Sequence, residues 1–442
     1  MSAAFLGFTL PSRARIFGWF RVLSVYLVAQ GATQALSLAT GLLLVRTLDR
    51  QVFAFYAIAA SVLTFLASTT DLGITSSLLH FFRRTLAGEE SFEGYVAAVT
   101  SIRKWAIGLG APIAVVAIFL LDKDRAFPAE LALGSGLFVV AGTWAQMHAA
   151  IRLMLLRLDG RVGRSYRAEL TGSLVRLGLS AATVATRGFL GLAAAPAAIV
   201  ASVAGSIATS WQARRPREAP PTDLALHKAD VLRYLLPTLP SGLYFSIQGP
   251  ILLWLAATFG NVSLIADIGA LSRLGLIVSV LSPLPSVLLL PRLARIADDR
   301  TYWRRALQFG IGYAALFAIP VVVAWRSPQV FLWLLGRQYA DLGSTLALCM
   351  TSTSVSVFTG FAVGLTRARG WTRWDTPALV VLVCAQVVAV AIFPLDRVSG
   401  VLYFGLTTGL MGLLTQIAIL LAGRSNPSLV SFDSGHAPRA RR

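Results

Sequence analysis

The sequence predicts an all-α, polytopic membrane protein of about twelve transmembrane helices arranged as two pseudo-symmetric six-helix lobes. Three observations carry that expectation. Hydrophobic residues fill 56% of the 442 positions and charged residues only 13%, about half the charged share of an ordinary soluble domain. The apolar residues fall in blocks of about twenty, the length that crosses a hydrocarbon core of about 30 Å. With the N-terminus inside, the loops and tails on that side, with Arg103 and Lys104 at the adjoining edge of the third span, hold 28 Lys and Arg residues against 8 on the other, the asymmetry that membrane insertion produces. Long unbroken apolar runs, not ten-residue alternating segments, select helices over a barrel.

The expected spans are 22–45, 52–80, 102–121, 131–155, 168–186, 189–211, 234–257, 263–290, 306–325, 341–366, 376–394 and 398–422. Residues 1–21 form an N-terminal segment with Arg13, Arg15 and Arg21 ahead of the first span. That span is too long for a cleavable signal and is expected to remain. Residues 22–211 make a first lobe and 234–422 a second. The linker at 212–233 holds Arg214, Arg215, Arg217 and the Pro220-Pro221 pair, and 423–442 form a disordered tail. Both termini are placed on the cytoplasmic side of a bacterial inner membrane. A weak internal similarity supports the halves: in each, a helix rich in Gly or Pro leads through a short outside loop (Thr47-Leu48; Gly260-Asn261) into an unusually long helix. Paired halves of this kind place a substrate site between them near mid-membrane.

Composition also excludes classes. A net charge of +19 on a soluble chain would suggest nucleic acid, but these arginines cluster at the ends of apolar blocks, so no nucleic-acid partner is expected. Cys349 and Cys384 lie inside apolar blocks and read as small core residues. The four histidines, at 80, 148, 227 and 436, lack metal-ligand spacing, and no phosphate loop, nucleophile elbow or His-Glu-x-x-His appears. Neither cofactor nor metal is expected. A glycan polymerase or ligase would need a sizeable outside loop for its catalytic groups, and these are short. A transporter is favoured over an enzyme.

Polar residues inside the spans are the site candidates, because each is costly in lipid unless paired or wetted. On the first span Tyr26, Gln30, Thr33, Gln34, Ser37 and Thr40 share one face at about 100° per residue. On the second, Ser61, Thr64, Ser68, Asp71 and Thr75 do the same. On the fifth the set is Glu169, Ser173, Arg176, Ser180 and Thr183, and the seventh offers Ser241, Tyr244 and Gln248 behind Pro237 and Pro240. Such stripes either join helices by hydrogen bonds or line a cavity. Arg176 and Arg273 lie deepest: Arg176 suits a cavity role, and Arg273 an anionic ligand or an ion pair. Arg46, at the outer end of the first span, suits snorkelling to the interface. Asp71 and Asp267 are the candidates for an ion-coupling role, with capping or helix packing the alternative for Asp71. Arg152 and His148, one turn apart, suit interfacial anchoring.

Several stretches resemble the polysaccharide-biosynthesis flippases, the Wzx-type branch of the multidrug/oligosaccharidyl-lipid/polysaccharide (MOP) exporter superfamily. Residues 45–84, VRTLDRQVFAFYAIAASVLTFLASTTDLGITSSLLHFFRR, set Arg46, Leu48, Tyr56, Asp71, Leu72 and Gly73 where that family has its Arg-x-Leu, its Tyr-rich helix start and its Asp-Leu-Gly. YLLPTLPSGL at 234–243, LLLPRLARIADD at 288–299 and FLWLLGRQYADLGSTLAL at 331–348 are similar to its second half. The resemblance implies two MOP/MATE-like lobes around a central cavity and alternating access. It implies that a polyprenyl-pyrophosphate-linked oligosaccharide is moved across the bacterial cytoplasmic membrane for surface polysaccharide biosynthesis, with glycan polymerase and assembly proteins as candidate partners beside membrane lipids. Arg176, Arg273 and Arg46 would then meet the pyrophosphate, and Gln30, Gln34, Gln248 and Tyr244 the polar head. The rival within the superfamily is a multidrug/cation exporter.

Overall fold

The computed structural model describes residues 13–72, 74–85, 92–122, 127–214, 224–236, 239–279, 282, 293, 299–368 and 374–425, and every element among them is helical. The expected segments 1–12, 215–223 and 426–442 lie outside the described residues, as does most of 280–298.

In the first half, α1 (Arg13–Thr47) turns through Leu48 and Asp49 into α2 (Arg50–Asp71) and α3 (Ile74–Thr85). Then follow α4 (Phe92–Leu121), α5 (Ala129–Leu158), α6 (Val162–Ala185), the short α7 (Arg187–Leu190) and α8 (Ala194–Gln212). The second half has α9 (Leu224–Leu235), α10 (Leu239–Gln248), α11 (Ile251–Phe259) and α12 (Val262–Ser279). It continues with α13 (Asp299–Arg326), α14 (Gln329–Leu335), a 3₁₀ segment (Arg337–Leu342), α15 (Gly343–Ala368), α16 (Asp375–Ile392) and α17 (Val398–Ser425).

Exposed apolar stripes mark the lipid-facing surface. On α4, Trp105, Leu109, Ile113, Val116 and Leu120 recur every three or four residues and are 54–72% exposed. Leu410, Leu414, Ile417 and Leu421 repeat the pattern on α17. In water such stripes would be a large unpaid apolar patch; in a bilayer they face a solvent of their own kind. Together with the apolar helix lengths they define a multi-pass membrane protein.

Among the described residues seven helices are long and apolar enough to span, or eight if the bent pair α10–α11 counts as one. The other expected spans fall on α1, α6, α12 and α16. The apolar part of α16 is short, α6 is rich in charge (Arg164, Arg167, Glu169, Arg176), and α12 is described only to Ser279.

Two expected single spans prove to be broken. The run 52–80 divides at Leu72, whose φ of +39° is the left-handed conformation that a branched residue rarely adopts. The Asp71 carboxylate accepts the Thr75 N–H at 3.2 Å, so it starts α3 as a cap where α2 stops. The run 234–257 bends by 58° between α10 and α11. Gly249 and Pro250 explain this: one is the most flexible residue, and the other lacks the N–H needed to continue the ladder. Part of the expected linker is also helical: α9 buries Val231 and Leu235 among Leu78, Phe81, Tyr95 and Ile151 of the first half.

Helices α1 to α8 pack mainly on one another, as do α10 to α17. The seam between them is made mainly by α1 and α2 against α10, α11, α12 and α14, with α4 touching α11. The main core crosses this seam, joining Phe53, Tyr56 and Val62 to Leu271, Leu274 and Tyr339. Close approach depends on small residues. A Cβ at Gly269 would sit 3.1 Å from Ala57 Cβ and from Phe53 Cε1 across the seam. Within the first half, a Cβ at Gly172 of α6 would collide with the Thr209 hydroxyl of α8 and approach the Gly205 carbonyl oxygen to 2.5 Å.

Gly172→Val should therefore push α6 off α8, costing about 1–3 kcal/mol as overpacking does. The check is the melting temperature of detergent-purified protein: it should fall clearly for Gly172→Val and stay near wild type for Gly178→Ala, whose Cβ meets open space.

Candidate functional site

Three helices of the first half and one of the second bring two arginines together. Arg176 projects from α6, held by the Gly172–Gly205 contact, and its Nη2 donates to Ser37 Oγ of α1 at 2.5 Å. Arg273 projects from α12 and runs along α1, where a Cβ at Gly41 would lie 3.0 Å from its Cδ. Ser37 and Gly41 are one helical turn apart and share a face of α1 with half-buried Gln34. The Arg273 guanidinium lies 5.8 Å from the ring centre of Tyr56 on α2, a cation–π distance. Arg176 is within electrostatic reach of both Arg273 and Tyr56.

Charge makes this arrangement unusual. Both arginines are half-buried, and the Nε of each is buried with no hydrogen-bond partner. The ion pairs among the described residues are Arg50–Asp267, Arg50–Asp341, Arg103–Asp71 and Arg157–Glu169, and none of them uses Arg176 or Arg273. Two like charges held together away from bulk water, with donor hydrogens unspent, form a receptor for an anion with several oxygens. Arginine suits a phosphate because its planar fork meets two oxygens at once.

The other candidates lie elsewhere. Arg46 is exposed beside the α1–α2 turn, with its guanidinium 5.6 Å from the Trp333 ring centre. Tyr244 is buried on α10 with an unpartnered hydroxyl, and half-buried Gln248 ends that helix at the bend. Gln30 falls on α1 one turn before Gln34, but its side chain lies outside the described residues. Asp71 accepts from Arg103 Nη1 at 2.9 Å, and Arg103, only 2% exposed, also donates to Thr75 Oγ1 at 2.7 Å. This triad fixes the α2–α3 break. Asp267 is 3.7 Å from Arg50 near the α1–α2 turn. Glu169 pairs with Arg157, and Arg152 ties α5 to α8 by donating to the Ser210 carbonyl at 2.8 Å.

Five of the Ser and Thr in the expected stripes, Thr40, Ser61, Thr64, Ser68 and Thr183, bond their own helix. Thr40 donates to the Leu36 carbonyl at 2.7 Å, Thr64 to Ala60 at 2.9 Å and Thr183 to Leu179 at 3.0 Å. Such back-bonding satisfies a hydroxyl without a cavity. Ser37 and Ser61 do reach other helices, Ser61 Oγ accepting from Trp254 Nε1 of α11 at 3.0 Å.

Sequence reasoning missed three participants. Tyr56 entered only as a motif residue, yet it is the platform under Arg273. Arg103 falls just inside an expected span, a position that could have marked it as buried. Arg50 was not singled out, although it reaches across the seam to Ser263 and Asp267. A groove of about 240 Å³ between α16 and α17, lined by Trp374, Pro377, Val381 and Ile419, includes none of the candidate residues.

No known protein family matches the chain by sequence, and no curated protein does. Solved structures do match. The chain is similar to the lipid II flippase MurJ in an inward closed conformation, with a TM-score of 0.66 at 12% identity over 90% of this chain and 87% of that one. It is similar to an inward-facing multidrug resistance MATE transporter of the MOP superfamily, at 0.63 and 18% over 91% and 98%. A Vibrio cholerae MATE transporter mutant matches at 0.55 and 15% over 90% and 95%.

Removing Arg103 should destabilise the protein on the order of 2 kcal/mol, because Asp71 loses its counter-charge in a partly dry site. Arg273→Ala, which breaks no ion pair, should leave stability near wild type. Thermal unfolding of the two variants checks this contrast, and a larger loss for Arg273→Ala would show that its role is structural. By near-complete coverage at these scores, the chain has the all-helical fold of the MOP exporters, shared by MurJ and the MATE transporters.

Proposed function

We propose that the chain is a flippase that carries a polyprenyl-pyrophosphate-linked oligosaccharide across the bacterial cytoplasmic membrane, with both termini cytoplasmic. The observation that carries this reading is the Arg176–Arg273 pair: two guanidiniums from opposite halves, each with an unspent Nε–H and neither paired to a carboxylate among the described residues. A pyrophosphate has two phosphoryl groups, so each arginine can take one. A single ligand then bridges the seam, and its arrival or departure biases how the halves stand. The glycan needs a wetted path, which the Gln34–Ser37 face of α1 and Gln248 would border, and the polyprenyl chain stays in lipid. The positive-inside asymmetry of 28 against 8 supports that orientation.

The rival reading is a multidrug or cation exporter, favoured by coverage of 98% of an inward-facing MATE chain. An organic cation, however, would enter between two arginines lacking an acid. In proteoliposomes holding labelled lipid-linked oligosaccharide, purified wild-type protein should move label between leaflets. Arg176→Ala and Arg273→Ala should each slow it about tenfold to a hundredfold, the loss of one charge-assisted contact, at unchanged protein level. Full activity in either variant would remove that residue from the site. No lipid transfer, with efflux of an organic cation instead, would establish the rival.

A further inference from the structure

We infer that the groove between α16 and α17 binds one phospholipid with a negatively charged head, its acyl chain lying in the groove and its phosphate meeting Arg424 and Arg304 beside Trp303. Only the bilayer-spanning class of the chain is needed for this, whatever the chain carries.

The groove, of about 240 Å³, runs from Trp374 to Val381 on α16 and from Thr415 to Ala422 on α17. That is two turns of each helix, about 10 Å along the axis and so about a third of a hydrocarbon core. Small residues open it, since Ala378, Ala418 and Ala422 leave room that larger side chains would fill. The Thr415 hydroxyl already donates to the Met411 carbonyl at 2.7 Å, so the groove's one hydroxyl is spent. Ala418 is exposed and lies one turn from Leu414 and Leu421 of the lipid-facing stripe on α17. The groove thus continues the surface that meets lipid.

One end of the groove is cationic. Trp303 of α13 packs on Ala378 and Ile419, the buried residues of the groove. Arg424, two residues beyond Ala422, sets its guanidinium 6.0 Å from the Trp303 ring centre, a cation–π distance that keeps it at the groove's end. Arg300 and Arg304, one turn apart on α13, flank Trp303, and all three arginines are exposed. The ion pairs among the described residues use none of them. Asp299 and Asp375 are the first residues of α13 and α16, where a helix N-terminus itself favours negative charge. Trp303 and Trp374 near the starts of those helices mark the level of the lipid headgroups, where indole rings concentrate.

Groove and charge together select the occupant. The groove alone would accept any acyl chain, and the arginines choose the head. Phosphatidylglycerol leaves its phosphate charge uncompensated, whereas phosphatidylcholine carries its own cation. Each arginine near an anionic head favours it several-fold, and the guanidinium fork meets two phosphate oxygens at once. The tail of a carried lipid fits less well. Its head belongs at Arg176 and Arg273, which stand on α6 and α12, and neither α16 nor α17 contributes to that pair. A bound phospholipid joins α13, α16 and α17 at one end of the second half.

The test is native mass spectrometry of the full chain in detergent, equilibrated with equal amounts of phosphatidylglycerol and phosphatidylcholine bearing the same acyl chains. Unaltered protein should retain phosphatidylglycerol about tenfold over phosphatidylcholine. Arg304→Gln combined with Arg424→Gln should bring that ratio near one. Arg326→Gln removes an exposed charge from the far end of α13 and should leave the ratio unchanged. Ala418→Phe, which fills an exposed part of the groove, should lower phosphatidylglycerol retention about tenfold. Equal retention of both lipids by unaltered protein, a preference that survives the double replacement, or full retention in Ala418→Phe would overturn the inference. Displacement of phosphatidylglycerol by an equal amount of neutral polyprenol would overturn it too, by giving the groove to the tail of the carried lipid. Phospholipid retention and leaflet transfer of oligosaccharide are separate measurements, so either reading can fail alone.

Discussion

Two arginines within electrostatic reach of each other, with no acid paired to either among the described residues, set the terms for the rest of this molecule. A guanidinium held off water is tolerable when it is paired, stacked or bathed by a ligand. Arg273 is stacked on Tyr56, and Arg176 has one bond to Ser37. Neither arrangement neutralises charge. The helices around them exist in this packing because small residues admit it: Gly41 lets Arg273 run along α1, and Gly172 with Gly205 lets α6 carry Arg176 against α8. Destabilisation is thus concentrated at one place on the seam, where an arriving polyanion would relieve it.

The seam itself is asymmetric along its length. At the α1–α2 turn it is closed by polar contacts centred on Arg50. Further along, α2 meets α12 at Gly269 and α11 through Trp254 and Ser61. Both broken helices border this surface, α2 at Leu72 and the α10–α11 pair at Gly249-Pro250, and a Cβ on Gly242 would come within 3.1 Å of Leu72 Cδ2. Breaks of this kind are where a helical frame bends without unpicking whole ladders. The Asp71–Arg103–Thr75 triad, with Arg103 buried and the other two half-buried, joins the two sides of the first break.

Sequence showed the fold class well and the site only in part, for physical reasons. Hydropathy reports length and polarity, so the membrane class and the approximate positions of the helices were legible. It is blind to breaks that leave polarity unchanged, and so α2–α3 and α10–α11 read as single runs. Arg176 and Arg273 were legible because charge in an apolar block is conspicuous. Their proximity was not, since 97 residues and the seam separate them. Arg50 was invisible as a seam residue because a cation in a short loop has an ordinary explanation. Periodicity alone could not divide the Ser/Thr stripes between cavity lining and hydroxyls bonded back to their own helix, because both repeat at the same spacing.

Binding of tail-matched lipids to purified protein in nanodiscs tests the paired-arginine receptor most directly. Polyprenyl pyrophosphate, polyprenyl monophosphate and neutral polyprenol differ only in the head that the arginines would meet. The account predicts affinity falling in that order, with the discrimination between pyrophosphate and alcohol lost when both Arg176 and Arg273 are replaced by Ala. Equal binding of the neutral alcohol, or discrimination that survives the double replacement, would contradict it.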